Sequence, residues 1–173
     1  DSRSRQLLVT GPEDDKALHL ETKYRVGQIR ETHLSDASGA LDAYRDILDL
    51  DVNHDKARTA LERRLATSTD DKHRLAVAGV LEPVYEQLGS WESLVGIHEI
   101  QLAAETDTLR KTSLLLRIGE LQRANLGNAE KSFDAHARAF AIDPSTDVSK
   151  QQIEVLAPHI DNGWQRVNAL FDA

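Results

Sequence analysis

Asp51-Val52-Asn53-His54-Asp55, followed by Glu62, places oxygen-bearing side chains at positions 1, 3, 5 and 12 of one window. That is the spacing of a calcium loop, in which carboxylate and amide oxygens surround a hard cation. Asp143, Ser145, Asp147 and Glu154 have the same spacing. Position 6 of such a loop needs glycine for its sharp turn, but these windows carry Lys56 and Val148 there. Helix capping accounts for the same residues, with Asp55 and Asp147 opening the helices that follow. No metal site is expected. His98-Glu99 begins like a zincin helix, but Leu102 stands where the second zinc histidine would be. His19 and His33 lie too far apart along a helix to share a ligand. His54, His73 and His159 fall near turns and are expected to be solvated, and His136 is expected to pack. The absence of cysteine removes disulfides, thiolate nucleophiles and zinc–thiolate sites together. With no Gly-x-Ser-x-Gly elbow and no glycine-rich phosphate loop, no catalytic residue or cofactor is assigned. The chain does not read as an enzyme.

What remains is a chain whose architecture carries its information. Its 173 residues are 40% hydrophobic and 29% charged, a globular balance suited to one compact domain or a short repeat array. The net charge of −8 repels phosphate backbones, so nucleic acid is not an expected partner. The tract LERRL at 61–65 carries its own acid and reads as a solvated helix face. No apolar run approaches the roughly 18 residues of a spanning helix, and no membrane insertion is expected. The opening DSRSRQLLVTGPEDD lacks a basic stretch followed by an apolar one. A cysteine-free chain fits the cytoplasm, and the periplasm admits one too. The missing initiator methionine and an amphipathic pattern cut off at NGWQRVNALFDA are the expected marks of a piece of a longer array.

The elements are helices. Leu41, Tyr44, Ile47, Leu48 and Leu50 keep helical rather than alternating spacing. In 91–102, Trp91, Leu94, Val95, His98 and Leu102 form one face while Ile97 and Ile100 lie off it, as in a helix buried between neighbours. Runs rich in Leu, Ala, Glu, Arg and Gln, punctuated by Gly, Pro and polar turns, predict helices near 16–33, 37–50, 55–66, 72–87, 91–105, 109–125, 129–142, 147–158 and 163–172. Ser90 is placed to cap the helix at 91. Pro144 stops the helix before it. Pro83 falls inside the fourth segment, which is therefore either kinked or begins near 82; the kink is preferred because Val80, Leu81, Val84 and Tyr85 keep their spacing across it. Trp91 and Trp164 each open a helix after a glycine-containing turn, with core anchoring expected and a binding hot spot as the alternative.

Shifted by 92 residues, the chain matches itself. Residues 25–62 align without gaps to 117–154 with nine identities, among them Gly27/Gly119, Asp51/Asp143 and Asp55/Asp147. Core positions keep their character: Val26/Ile118, Ile29/Leu121, Leu41/Phe133, Leu48/Phe140, Leu61/Ile153. Duplication of a several-helix unit produces such a register, and units that cannot bury their faces alone stack side by side.

Within these hairpins, Leu81, Tyr85 and Gly89 show the Leu-x3-Tyr-x3-Gly spacing of the tetratricopeptide (TPR) repeat family. Gly127, Ser132, Ala139 and Pro144 match its Gly, small, Ala and Pro positions, and Ala40 and Tyr44 its small and aromatic ones. Ile47, Val52 and His136 depart from the pattern. The chain thus resembles a divergent TPR-like protein, and HEAT or half-a-tetratricopeptide arrays share the same stacking physics. The resemblance implies an all-α, right-handed solenoid of stacked antiparallel helical hairpins, with 1–173 as a single helical-repeat domain. It further implies a protein-interaction scaffold whose concave face, lined by the first helices of the hairpins, receives a peptide or protein partner. Gln28, Glu31, Glu120 and Arg123 are the polar positions expected on that face. A structural spacer in a large multidomain protein, or an enzyme with dispersed catalytic residues, are the competing readings.

Overall fold

Leucine, alanine and long polar residues dominate 10–21-residue stretches here, and each such stretch folds as a helix. A computed structural model describes residues 12–172. The reading of residues 1–11 as free of a leader pattern lies outside the described residues. Among them there is no strand, and nine α-helices follow in order: α1 (Pro12–Thr32), α2 (Ala37–Leu50), α3 (Asp55–Thr67), α4 (Asp71–Leu88), α5 (Trp91–Ala104), α6 (Thr108–Glu120), α7 (Ala129–Ile142), α8 (Asp147–Leu156) and α9 (Gly163–Phe171). A π turn (Leu121–Asn125) extends α6, and a 3₁₀ turn (Ala157–His159) extends α8. The chain is all-α, as its periodicity predicts. None of these helices is long and apolar enough to cross a membrane.

The chain divides into two compact units, ending at Thr67 and beginning at Ser68. In the first, α1 packs on α2 and α2 on α3. Ala40, Tyr44 and Ile47 of α2 and Leu61 of α3 are fully enclosed. In the second, every helix from α4 to α9 packs on the next. Leu102, Leu115, Ile118, Ala135 and Ala139 form one core where α5, α6 and α7 meet. Phe133, Ile153, Leu156, Ala157 and Val167 form another around α7, α8 and α9. Ile97 is 1% exposed although it lies off the main apolar face of α5, as a helix covered on more than one side requires.

Local chemistry sets the ends. Asp36, Asp70, Asp107 and Asn128 accept hydrogen bonds from backbone N–H groups in the first turns of α2, α4, α6 and α7. Gly89 closes α4 in the left-handed conformation at φ 65°. Several expectations need correction. Asp55 and Asp147 each lie one residue inside α3 and α8; His54 caps α3, its Nδ1 accepting from the Ala57 N–H at 3.2 Å, and Thr146 occupies the cap position of α8 with no side-chain bond. The His54 imidazole is half-buried rather than solvated, because its ring also packs beside Tyr24. Ser90 occupies the cap position of α5 but its hydroxyl makes no capping bond. α4 runs unbroken through Pro83, with Val80, Leu81, Val84 and Tyr85 all buried. Trp164 is 54% exposed and anchors no core, whereas Trp91 is half-buried beside Gly89.

Positions 92 residues apart make matching local contacts. The Leu34 N–H bonds the Ile29 carbonyl and the Asp36 N–H that of Arg30; Leu126 bonds Leu121 and Asn128 bonds Gln122 in the same way. Ser35 and Gly127 both have positive φ, 51° and 64°. Asp51 and Asp143 both end a helix in extended backbone, each with Oδ1 accepting from the N–H two residues on. A Cβ on Gly27 would lie 2.7 Å from the Tyr44 ring, and one on Gly119 would lie 2.6 Å from the His136 ring. These glycines let an aromatic ring of the next helix lie against the backbone.

Candidate functional site

The second unit carries two adjoining cavities that share Ser113 and Arg117 of α6. The first, about 520 Å³, lies among α4, α5 and α6 and is lined by Leu75, Glu82, Glu86, His98, Gln101 and Leu114, among others. Helical spacing places Glu82 and Glu86 on one face of α4, and Arg110, Ser113 and Arg117 on one face of α6. Buried His98, 5% exposed, bonds Gln101 Oε1 through Nδ1 at 3.0 Å, and Gln101 Nε2 donates to Glu82 at 2.6 Å. Arg117 bridges Glu86 at 2.7 Å and Glu120 at 3.3 Å. The Glu105 carboxylate accepts from the N–H groups of Asp107 and Thr106, which holds its pKa below the usual range. The charges of this cavity are largely spent on one another.

The second cavity, about 480 Å³, is different. Ser113, Leu116, Arg117 and Glu120 of α6, Arg123 of the π turn, His136 of α7, and Val148 and Gln152 of α8 line it. π turns widen a helix by one residue and commonly lie at functional sites. His136 is 3% exposed. Its Nδ1 finds no hydrogen-bond partner, and neither does Gln152 Oε1 or the neighbouring Ser149 Oγ. Burial, and to a lesser degree the nearby Arg123 cation, pushes the imidazole pKa down to about 4, so the ring is neutral at pH 7. Arg123 is exposed and makes no ion pair among the described residues.

Known proteins supply no shortcut. The chain matches no family model, no curated protein and no solved structure.

Of the four residues expected on a binding face, Glu120 and Arg123 line the second cavity together. Gln28 and Glu31 lie on α1 in the first unit. Gln28 is exposed and its Nε2 donates to the Tyr24 hydroxyl at 3.4 Å. The Glu31 carboxylate accepts from the Tyr44 hydroxyl at 3.0 Å and pairs with Arg63 at 3.2 Å and Arg64 at 3.4 Å. That carboxylate is engaged within its own unit. The calcium-like window is spent similarly: Asp51 accepts from the Asn53 N–H, and Asp55 and Glu62 both pair with Arg58. No group of three or more His, Asp or Glu placed to hold a metal occurs among the described residues.

Reading single residues misses His136, Gln152, Leu116 and Val148. Their signal was available in the 92-residue register. There Arg123 replaces Glu31, His136 replaces Tyr44 and Val148 replaces Lys56, so a charge reversal accompanies the loss of an ion pair.

Proposed function

We propose that this chain is a protein-interaction scaffold, a TPR-like stack of duplicated helical hairpins in which the second unit receives an extended peptide or a partner helix. The observation that carries the reading is the pair of adjoining cavities along α6. Residues of α4, α5, α6, α7 and α8 line them, and each includes one buried histidine, His98 in the first and His136 in the second. Two adjoining cavities that combine polar groups with the apolar side chains of Leu75, Leu114, Leu116 and Val148 suit a ligand held by side chains along α6. The matching contacts at positions 92 apart support a duplicated unit. Stacking such units creates extended binding surfaces without catalytic machinery.

The test is selection of peptides from a random display library on the 173-residue chain, with binders footprinted by NMR shift mapping. The reading expects footprints on Glu86, Gln101, Arg117, Arg123 and Gln152. Footprints confined to α2, α3 or α9, or a selection that yields no specific binder, would overturn it.

A further inference from the structure

The two units treat one place in the same helical frame in opposite ways. In the first unit, the chain fills that place itself. Tyr24 lies with its ring centroid 5.8 Å from that of Tyr44 and 6.0 Å from that of His54, under the Lys56 ammonium at 5.8 Å. Lys56 pairs with Glu21 at 3.1 Å, and Glu31 is held by Tyr44, Arg63 and Arg64. An aromatic ring and a carboxylate therefore occupy and close the site.

In the second unit the backbone bonds and the glycine-on-ring packing are the same, but the fillers are gone. Leu116 stands at the place of Tyr24, Ser113 at that of Glu21 and Val148 at that of Lys56. Arg123 stands at the place of Glu31, and the arginine pair becomes Val155 and Leu156. All three of Ser113, Leu116 and Val148 line the open cavity. It thus combines apolar walls, an unpaired guanidinium, and two polar atoms, on His136 and Gln152, that lack partners. Buried polar atoms left unpaired are destabilising, and an incoming hydrogen-bonding group relieves that cost.

We infer that the cavity among α6, α7 and α8 takes from a partner peptide an aromatic side chain together with an acidic one. These are the two groups that the first unit supplies from its own chain as Tyr24 and Glu31. The ring lies against Leu116 and Val148, the carboxylate pairs with Arg123, and the peptide backbone reaches Gln152. The inference rests on the scaffold reading and names the chemistry of its partner.

The experiment uses end-blocked Ser/Gly peptides carrying one tyrosine and one glutamate at varied spacing, so that no terminal charge takes part. They are titrated into the full chain, with NMR reporting the Arg123 guanidinium, the Leu116 and Val148 methyls and the His136 ring. At least one spacing is expected to shift all four groups. Replacing its glutamate by glutamine or its tyrosine by alanine weakens binding about tenfold, the scale of a charge-assisted pair or an aromatic anchor. Arg123 is exposed and unpaired, so R123E folds, which circular dichroism checks, and it loses the glutamate preference. The double variant L116Y/V148K, which restores residues of the first unit, excludes the peptide. Equal binding of a lysine-for-glutamate peptide, or unchanged binding to R123E, would overturn the inference. If selected peptides shift Glu86 and Gln101 but ignore R123E, the inference fails and the scaffold reading stands. If no peptide shifts either cavity, both fail.

Discussion

Alanine at Gly119 and at Gly96 should move stability in opposite directions, although both glycines lie inside helices of the same unit. Replacing a helical glycine by alanine ordinarily gains about 0.8–1 kcal/mol, because alanine loses less backbone entropy. At Gly96 nothing lies within 4 Å of the new methyl, so the G96A variant gains that full amount. At Gly119 the methyl would meet three ring atoms of His136, at 2.6, 2.9 and 2.9 Å. Reaching ordinary contact requires the ring to move by roughly 0.8 Å, and it is buried with Ser132 Oγ bonding the Gly119 carbonyl at 2.8 Å beside it. Overpacking of this kind costs about 1–3 kcal/mol, which outweighs the propensity gain. The propensity gain is common to both variants, so the expected separation between G96A and G119A equals the overpacking cost, about 1–3 kcal/mol. Urea and thermal unfolding followed by far-UV circular dichroism measure it, with a shift of several degrees in Tm. In the first unit G27A should also destabilise, because Tyr44 is fully buried and tethered to Glu31. If G119A stabilised as much as G96A, the close packing of α6 on the His136 ring would be refuted.

Acidification tests the same ring. His136 titrates near 4 when folded against about 6.5 when unfolded, so between these values the unfolded chain binds the extra proton and stability falls as pH falls. The full effect is on the order of 3 kcal/mol, and the H136F variant should show a flatter pH profile over that window; identical slopes would contradict the assignment. Arg166 pairs with Glu130 and Asp134 and lies 4.4 Å from the Phe133 ring centroid. R166A should cost about 1–2 kcal/mol in chemical denaturation, and R166K should restore less than half, because lysine lacks the planar fork that stacks and pairs together. Ser35 holds a left-handed conformation at φ 51° where the corresponding corner has Gly127. S35G should therefore raise stability by about 1 kcal/mol in the same assay, and a loss would show that the serine side chain stabilises the corner.

Helix positions were legible because their signals are local. The stripe Leu41, Tyr44, Ile47, Leu48 needs no tertiary knowledge to mark the buried face of α2, although Leu50, which the same spacing includes, is half exposed at the helix end. Caps were less legible. Asp55 is the better capping residue by propensity, yet His54 takes the role because its ring also packs against Tyr24, a contact between α1 and the α2–α3 corner that spacing alone does not reveal. The candidate site was half legible. Glu120 and Arg123 could be chosen as polar residues on a long helix, but Glu31 is withdrawn by arginines 32 and 33 residues away. His136 looked like packing, and it is packed; what made it distinctive was the absence of any partner for Nδ1, which only the assembled α6–α7–α8 surroundings disclose.

Pro83 donates no hydrogen bond, so the carbonyl of Gly79, four residues earlier and exposed, has no donor within α4. Glu82 and Glu86 flank that missing rung and face the larger cavity. The α4 wall of that cavity is therefore held by one hydrogen bond fewer than an uninterrupted helix, and it bends at lower cost beside Glu82 and Glu86 while Val80, Leu81, Val84 and Tyr85 stay packed beneath it.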